Sequence, residues 1–75
     1  MKMLLLGGTH HGQVICIKMG VKVQMIDGSH YWGRNELHNG RLYRIGLEDS
    51  LWRSKARLPD DTWNLIESTG LKPIA

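Results

Sequence analysis

Residues Gln13-Val14-Ile15-Cys16-Ile17-Lys18, Met19-Gly20 and Val21-Lys22-Val23-Gln24-Met25-Ile26 decide the fold. Both six-residue runs are rich in β-branched and apolar side chains, and a Gly-containing dipeptide separates them, which reads as two paired strands. The second run alternates apolar and polar residues, as a half-buried strand does. The first has apolar residues on both faces and is expected deeper in the sheet. A two-residue turn at Met19-Gly20 sets Lys18 opposite Val21, Cys16 opposite Val23 and Val14 opposite Met25.

Glycine turns recur along the chain. His11-Gly12, Met19-Gly20, Asp27-Gly28 and Asn39-Gly40 place successive glycines eight, eight and twelve residues apart. Short strands at that rhythm predict an antiparallel meander, open or partly closed into a barrel, of about five strands. Pairing across Asp27-Gly28 sets Met25 opposite His30 and Val23 opposite Trp32. Val14, Cys16, Val21, Val23, Met25, His30 and Trp32 then share one face, taken as the core face. Cys16 becomes a small buried hydrophobe and Trp32 a core wall. Around Asn39-Gly40, Leu37 meets Leu42 and Glu36 meets Tyr43, with Gly33 free to bulge or bend between the two hairpins.

Ahead of this lies Met3-Leu4-Leu5-Leu6, a short apolar run that suits a buried strand. Its apolar stretch is shorter than the ~7–15 residues of a signal-peptide core, and no stretch approaches the ~20 of a membrane span. Next, Gly7-Gly8-Thr9-His10-His11-Gly12 has the glycines of a phosphate-binding turn, which needs a helix after it. The run Gln13-Val14-Ile15-Cys16-Ile17 is strand-like instead, so a glycine-rich hairpin turn is the reading. After Ile45 the apolar period changes. Leu47, Leu51 and Leu58 lie at helical offsets and Asp49 precedes Arg53 by four, so residues 48–55 are a short helix or a continued strand. Pro59-Asp60-Asp61, the Trp63–Ile66 face and Gly70 define a C-terminal helix docked on the sheet. The class is α+β, one domain over residues 1–75, with one C-terminal helix.

The net charge is +3, with ten Lys and Arg against seven Asp and Glu. Residues 41–58 carry five basic and two acidic groups, and residues 59–75 one basic and three acidic. That asymmetry permits an anionic partner. The single cysteine excludes an internal disulfide and fits a reducing, cytoplasmic setting.

No residue pattern supplies a reaction. His10 and His11 are adjacent, His30 and His38 are eight apart, and Cys16 has no partner, so the paired short spacings of a structural zinc site are missing. Ser29, Ser50 and Ser54 lack an elbow or triad context, and Asp60-Asp61 serves the helix start. The expectation is a non-enzyme with no metal and no cofactor. Binding residues are better founded. Arg41, Arg44, Arg53, Lys55 and Arg57 accompany Tyr43 and Trp52, a mixture suited to a protein hot spot or to single-stranded nucleic acid, whose bases stack on aromatics. Trp52 is claimed by neither hairpin nor helix, and is expected exposed. His10 and His11 form a second exposed loop.

The opening Met1-Lys2-Met3-Leu4-Leu5-Leu6-Gly7-Gly8-Thr9-His10-His11-Gly12-Gln13-Val14-Ile15 resembles the start of short tailed-bacteriophage accessory proteins. Leu42-Tyr43-Arg44-Ile45-Gly46-Leu47 and the closing Thr69-Gly70-Leu71-Lys72-Pro73-Ile74 are similar to the ends of such chains. The resemblance spans roughly half the chain and transfers no functional residue. It implies a context: stoichiometric binding that inhibits or redirects a host machine for transcription or antiviral defence, in the host cytoplasm, as a monomer or small homo-oligomer. The alternative is a small basic β-barrel that binds single-stranded nucleic acid.

Overall fold

The computed structural model describes residues 1–55 and 57–75. Five strands, β1 (Lys2–Leu6), β2 (Val14–Cys16), β3 (Val23–Ile26), β4 (Ser29–His38) and β5 (Arg41–Glu48), form one sheet in the order β2-β1-β5-β4-β3. Two short helices come after them, α1 (Asp49–Ser54) and α2 (Thr62–Ser68).

Two of the predicted hairpins have the register read from their turns. Met25 faces His30 and Val23 faces Trp32, while Leu37 faces Leu42 and Glu36 faces Tyr43. Asp27 and Asn39 take positive φ (49° and 51°) ahead of Gly28 and Gly40, the twist that two-residue hairpins require.

The expected 13–26 hairpin does not form. Its turn closes through the Val21 amide on the Lys18 carbonyl, 3.3 Å, and pairing stops there. Each flank is already bonded elsewhere: β2 lies antiparallel on β1, with Val14 facing Leu4 and Cys16 facing Lys2, and β3 belongs to β4. The two segments end on opposite edges of the sheet. The cause lies in β1, whose unbroken apolar run is buried from Met3 to Leu6 and occupies the interior of the sheet. Such a strand needs neighbours on both sides. It takes β2 on one and β5, in parallel, on the other. The sheet is therefore mixed, not purely antiparallel.

The glycine-rich segment 7–13 reverses the chain between β1 and β2, as a hairpin connection. No bulge interrupts the ladder at Gly33, since β4 pairs with β5 continuously from Tyr31 to His38. The glycine has another reason: a Cβ there would lie 2.5 Å from the Arg44 Nη2.

One sheet face carries Leu4, Leu6, Ile45 and Leu47, covered by Ile66 of α2 and by Leu71. The other carries Met3, Leu5, Ile17 and Tyr31, and the edge residues Ile15 and Ile26 pack on the same cluster. Contributions from both edges to one cluster mean that the sheet curls toward a half-barrel. The expected core residues Val14, Cys16, Val23, Met25, His30 and Trp32 do share the helix-bearing face, by register. The helices cover only its middle. Cys16, Val23, Met25 and His30 are exposed, Val14 and Trp32 half-buried, and Val21 lies outside any strand.

Residues 49–54 resolve as helix. Glu48 caps it by accepting the Ser50 amide at 2.8 Å, and Lys55 ends it at φ 54°. Of the two alternatives for residues 48–55 the helix is the one that forms, beside the expected helix nearer the C-terminus. In α2 the buried Thr62 donates its hydroxyl to the Pro59 carbonyl at 2.7 Å, and Gly70 comes after the C-cap Thr69 with φ 68°. The chain then returns to the sheet, where Leu42 donates to Ala75 and accepts from Ile74. No described helix is long and apolar enough to cross a membrane.

Candidate partner-binding surface

The turn from β5 into α1 positions the site. Glu48 starts the helix, which brings Trp52 over β4 to stack on Trp32 with ring centroids 5.6 Å apart and planes 16° from parallel. Trp32 Nε1 donates to Asp49 Oδ1 at 3.0 Å, and Arg53 Nε donates to Asp49 Oδ2 at 2.8 Å. One carboxylate therefore holds both the indole and the guanidinium beside it.

Those donors stabilise the charged carboxylate, Arg53 most and then Trp32, and hold Asp49 below its ordinary value of 3.8. A depressed native value means stability that is present above the unfolded value and lost as pH falls through the native one. The urea midpoint is accordingly expected to drop below about pH 4, with a shallower drop in Asp49→Asn. Identical acid limbs for the two proteins would refute this role.

Beside the stack, Arg34, Leu51, Trp52 and Lys55 line a shallow cleft of ≈ 340 Å³. Arg34 is bridged to Glu36. On the other side lies the β3 edge. Val23 and Met25 project from the same face as Trp32 and are 39% and 58% exposed, with Trp52 at 38%. This is a contiguous apolar patch on the surface of a small domain.

The backbone of that edge also faces outward, with the Met25 carbonyl accepting from Gln24 Nε2 at 3.4 Å. The Gly33 amide donates to Lys22 at 2.7 Å, and antiparallel pairs alternate between bonded and non-bonded. Val23 and Met25 are therefore non-bonded positions, with their N–H and C=O groups turned away from β4. Among the described residues no strand lies beyond β3.

The predicted binding residues do not form one surface. Trp52, Arg53 and Lys55 sit together on and just after α1, and Trp52 is exposed. Arg41 starts β5, about 20 Å of strand away. Arg44 turns to the opposite face from Trp32, donating to the Val21 carbonyl at 2.7 Å and to Asn35 Oδ1 at 3.0 Å. Arg57 is exposed, 3.5 Å from Asp60.

The loop histidines are engaged with neighbouring side chains. His10 bridges Asp27 at 2.9 Å and Gln13 at 2.8 Å. His11 Nδ1 accepts the Gly7 amide at 2.8 Å, so its Nε2 carries the proton that meets Asp61 at 2.8 Å. Among the described residues no three His, Cys, Asp or Glu side chains converge on one point.

Sequence reading missed Trp32, Val23 and Met25 as surface residues because alternation shows which residues share a face, not what covers it. No sequence signal marks Arg34 or the stack of His38 on Trp63 at 4.7 Å, since both contacts join segments far apart in the chain. No known family model, curated protein or solved structure matches this chain.

Proposed function

We propose that this chain is a non-enzymatic binding protein of phage type, which docks on a host protein machine in the host cytoplasm and inhibits or redirects it. The observation that carries the reading is the Trp32–Trp52 stack beside the open β3 edge. Exposed tryptophan, methionine and arginine are the residues enriched at interface centres. An open strand with outward amides adds a second mode of attachment, in which main-chain bonds supply affinity and neighbouring side chains supply selectivity. A single-stranded nucleic acid is the rival occupant. It needs basic groups in a row along its phosphates, whereas Arg44 points inward, Arg53 is held by Asp49 and Arg41 lies at the far end of β5.

The test is capture from host lysate by tagged protein. Trp52→Ala and Met25→Lys are each expected to weaken capture of one stoichiometric partner by about 30-fold, the effect of losing an interface anchor. Met25→Lys should melt close to the parent, because its side chain is exposed, whereas Trp52→Ala also loses the stack on Trp32 and should melt somewhat lower while still unfolding cooperatively. Retention of the partner by both variants would overturn the site. Salt-sensitive binding to a labelled oligonucleotide, with no protein captured, would favour the rival.

A further inference from the structure

At the other edge of the sheet, a groove of ≈ 680 Å³ separates the start of β1 and β2 from the returning segment after α2. Val14, Leu71, Pro73 and Ile74 give it an apolar wall, and Lys2 and Lys72 are its charged side chains.

The charge distribution around the groove is one-sided. All seven side-chain carboxylates are engaged elsewhere. Asp27, Asp61 and Glu67 meet histidines, Glu36, Asp49 and Asp60 meet arginines, and Glu48 caps α1. Neither Lys2 nor Lys72 has an acidic partner among the described residues. Two lysines without an acidic partner, set beside apolar walls, favour an anionic occupant.

The backbone indicates its form. The Leu5 amide bonds to the Gln13 carbonyl and the Ile17 amide to the Met1 carbonyl, both at 2.8 Å. By alternation Ile15 is the bonded position between them, and Val14 and Cys16 direct their N–H and C=O groups outward. Among the described residues no strand lies beyond β2. Val14 thus offers its side chain to the groove and its main chain to the open edge, and Cys16 pairs on the same face with Lys2.

We propose that this groove and the free edge of β2 form a second binding site, for an extended acidic peptide segment. The segment adds beside β2 through the outward groups of Val14 and Cys16. It lays apolar side chains on Val14, Leu71 and Ile74, and sets carboxylates two positions away, on the same face of the added strand, against Lys2 and Lys72. This site does not depend on the Trp52 surface, so either can fail without the other.

The probe is the labelled peptide Glu-Thr-Val-Thr-Glu-Thr-Leu-Thr-Glu, whose acidic and apolar residues share one face, monitored by fluorescence anisotropy. Saturable binding is expected, weakened by salt and by about tenfold in Lys2→Glu and in Lys72→Glu. Both lysines are exposed, so the thermal transition should not move. Methylating the peptide amides on the bonding edge should abolish binding, while Trp52→Ala should leave it unchanged. The proposal is overturned by absence of saturation, by equal binding of a peptide with Gln for Glu, or by full binding of the methylated peptide. It is equally overturned if Trp52→Ala removes binding, if an oligothymidylate displaces the peptide at lower concentration, or if sedimentation shows a dimer that Lys72→Glu dissociates.

Discussion

Tyr31→Ala is expected to remove a large share of the protein's stability and to lower its urea midpoint steeply. The side chain is fully buried, in the cluster it shares with Met3, Leu5 and Ile17. Truncating an aromatic of this size costs about 3–5 kcal/mol through lost transfer energy and the remaining cavity. A domain of 75 residues holds only roughly 4–11 kcal/mol in total. The phenol also organises the loop above it. Its hydroxyl donates to the Gly7 carbonyl at 2.9 Å and accepts the His10 amide at 3.3 Å. Gly8 passes so close that a Cβ would lie 2.9 Å from that oxygen, on a backbone with φ 69°. The glycine pair therefore wraps a buried tyrosine, and the phosphate-like look of the motif comes from that close approach. Tyr31→Phe keeps the ring and should cost about 1–2 kcal/mol, the penalty for the two loop groups left unpaired. Near-UV circular dichroism and a urea titration separate the two variants. A cooperative transition for Tyr31→Ala near the parent midpoint would show that the cluster is not the core.

The range of each interaction decides whether sequence alone makes it legible. The turns Asp27-Gly28 and Asn39-Gly40 act within four residues, so their registers are legible pair by pair. The end of α2 is legible for the same reason, through Gly70. The partner of β2 is not, because an apolar strand does not state which of two apolar strands it prefers. That choice is made by β1, whose burial on both faces is visible as Met3-Leu4-Leu5-Leu6 but whose position in the sheet depends on β5, some forty residues later. The same gap hides the surface. Alternation places Val23, Met25, His30 and Trp32 correctly on one face, yet only the docking of α2 and Leu71 over β1 and β5 determines how far that face is covered. Arg44 and Arg53 look alike in sequence, and only the sheet shows one turned under Gly33 and the other held at the surface by Asp49.

That difference predicts opposite consequences for the two arginines. Arg44→Ala should destabilise the protein, since its guanidinium ties the 18–22 turn to β4 through the Val21 carbonyl and Asn35. Hydrogen bonds from a charged group contribute about 1.5–3 kcal/mol, which for a domain of this size is a fall in Tm of roughly 10–20 °C. Arg44→Lys should recover only part of this, because an ammonium cannot reach both acceptors with the fixed fork of a guanidinium. Arg53→Ala and Arg41→Ala, exposed, should stay within about 0.5 kcal/mol of the parent. Gly33→Ala offers an independent handle, as its Cβ would occupy the space of the Arg44 guanidinium, 2.5 Å from Nη2. It should destabilise the parent, yet add little once Arg44 is alanine and the space is vacated. A double-mutant cycle between positions 33 and 44 measures that coupling directly. Additive losses, or an Arg44→Ala variant that melts with the parent while losing its partner, would return Arg44 from the frame of the fold to its binding surface.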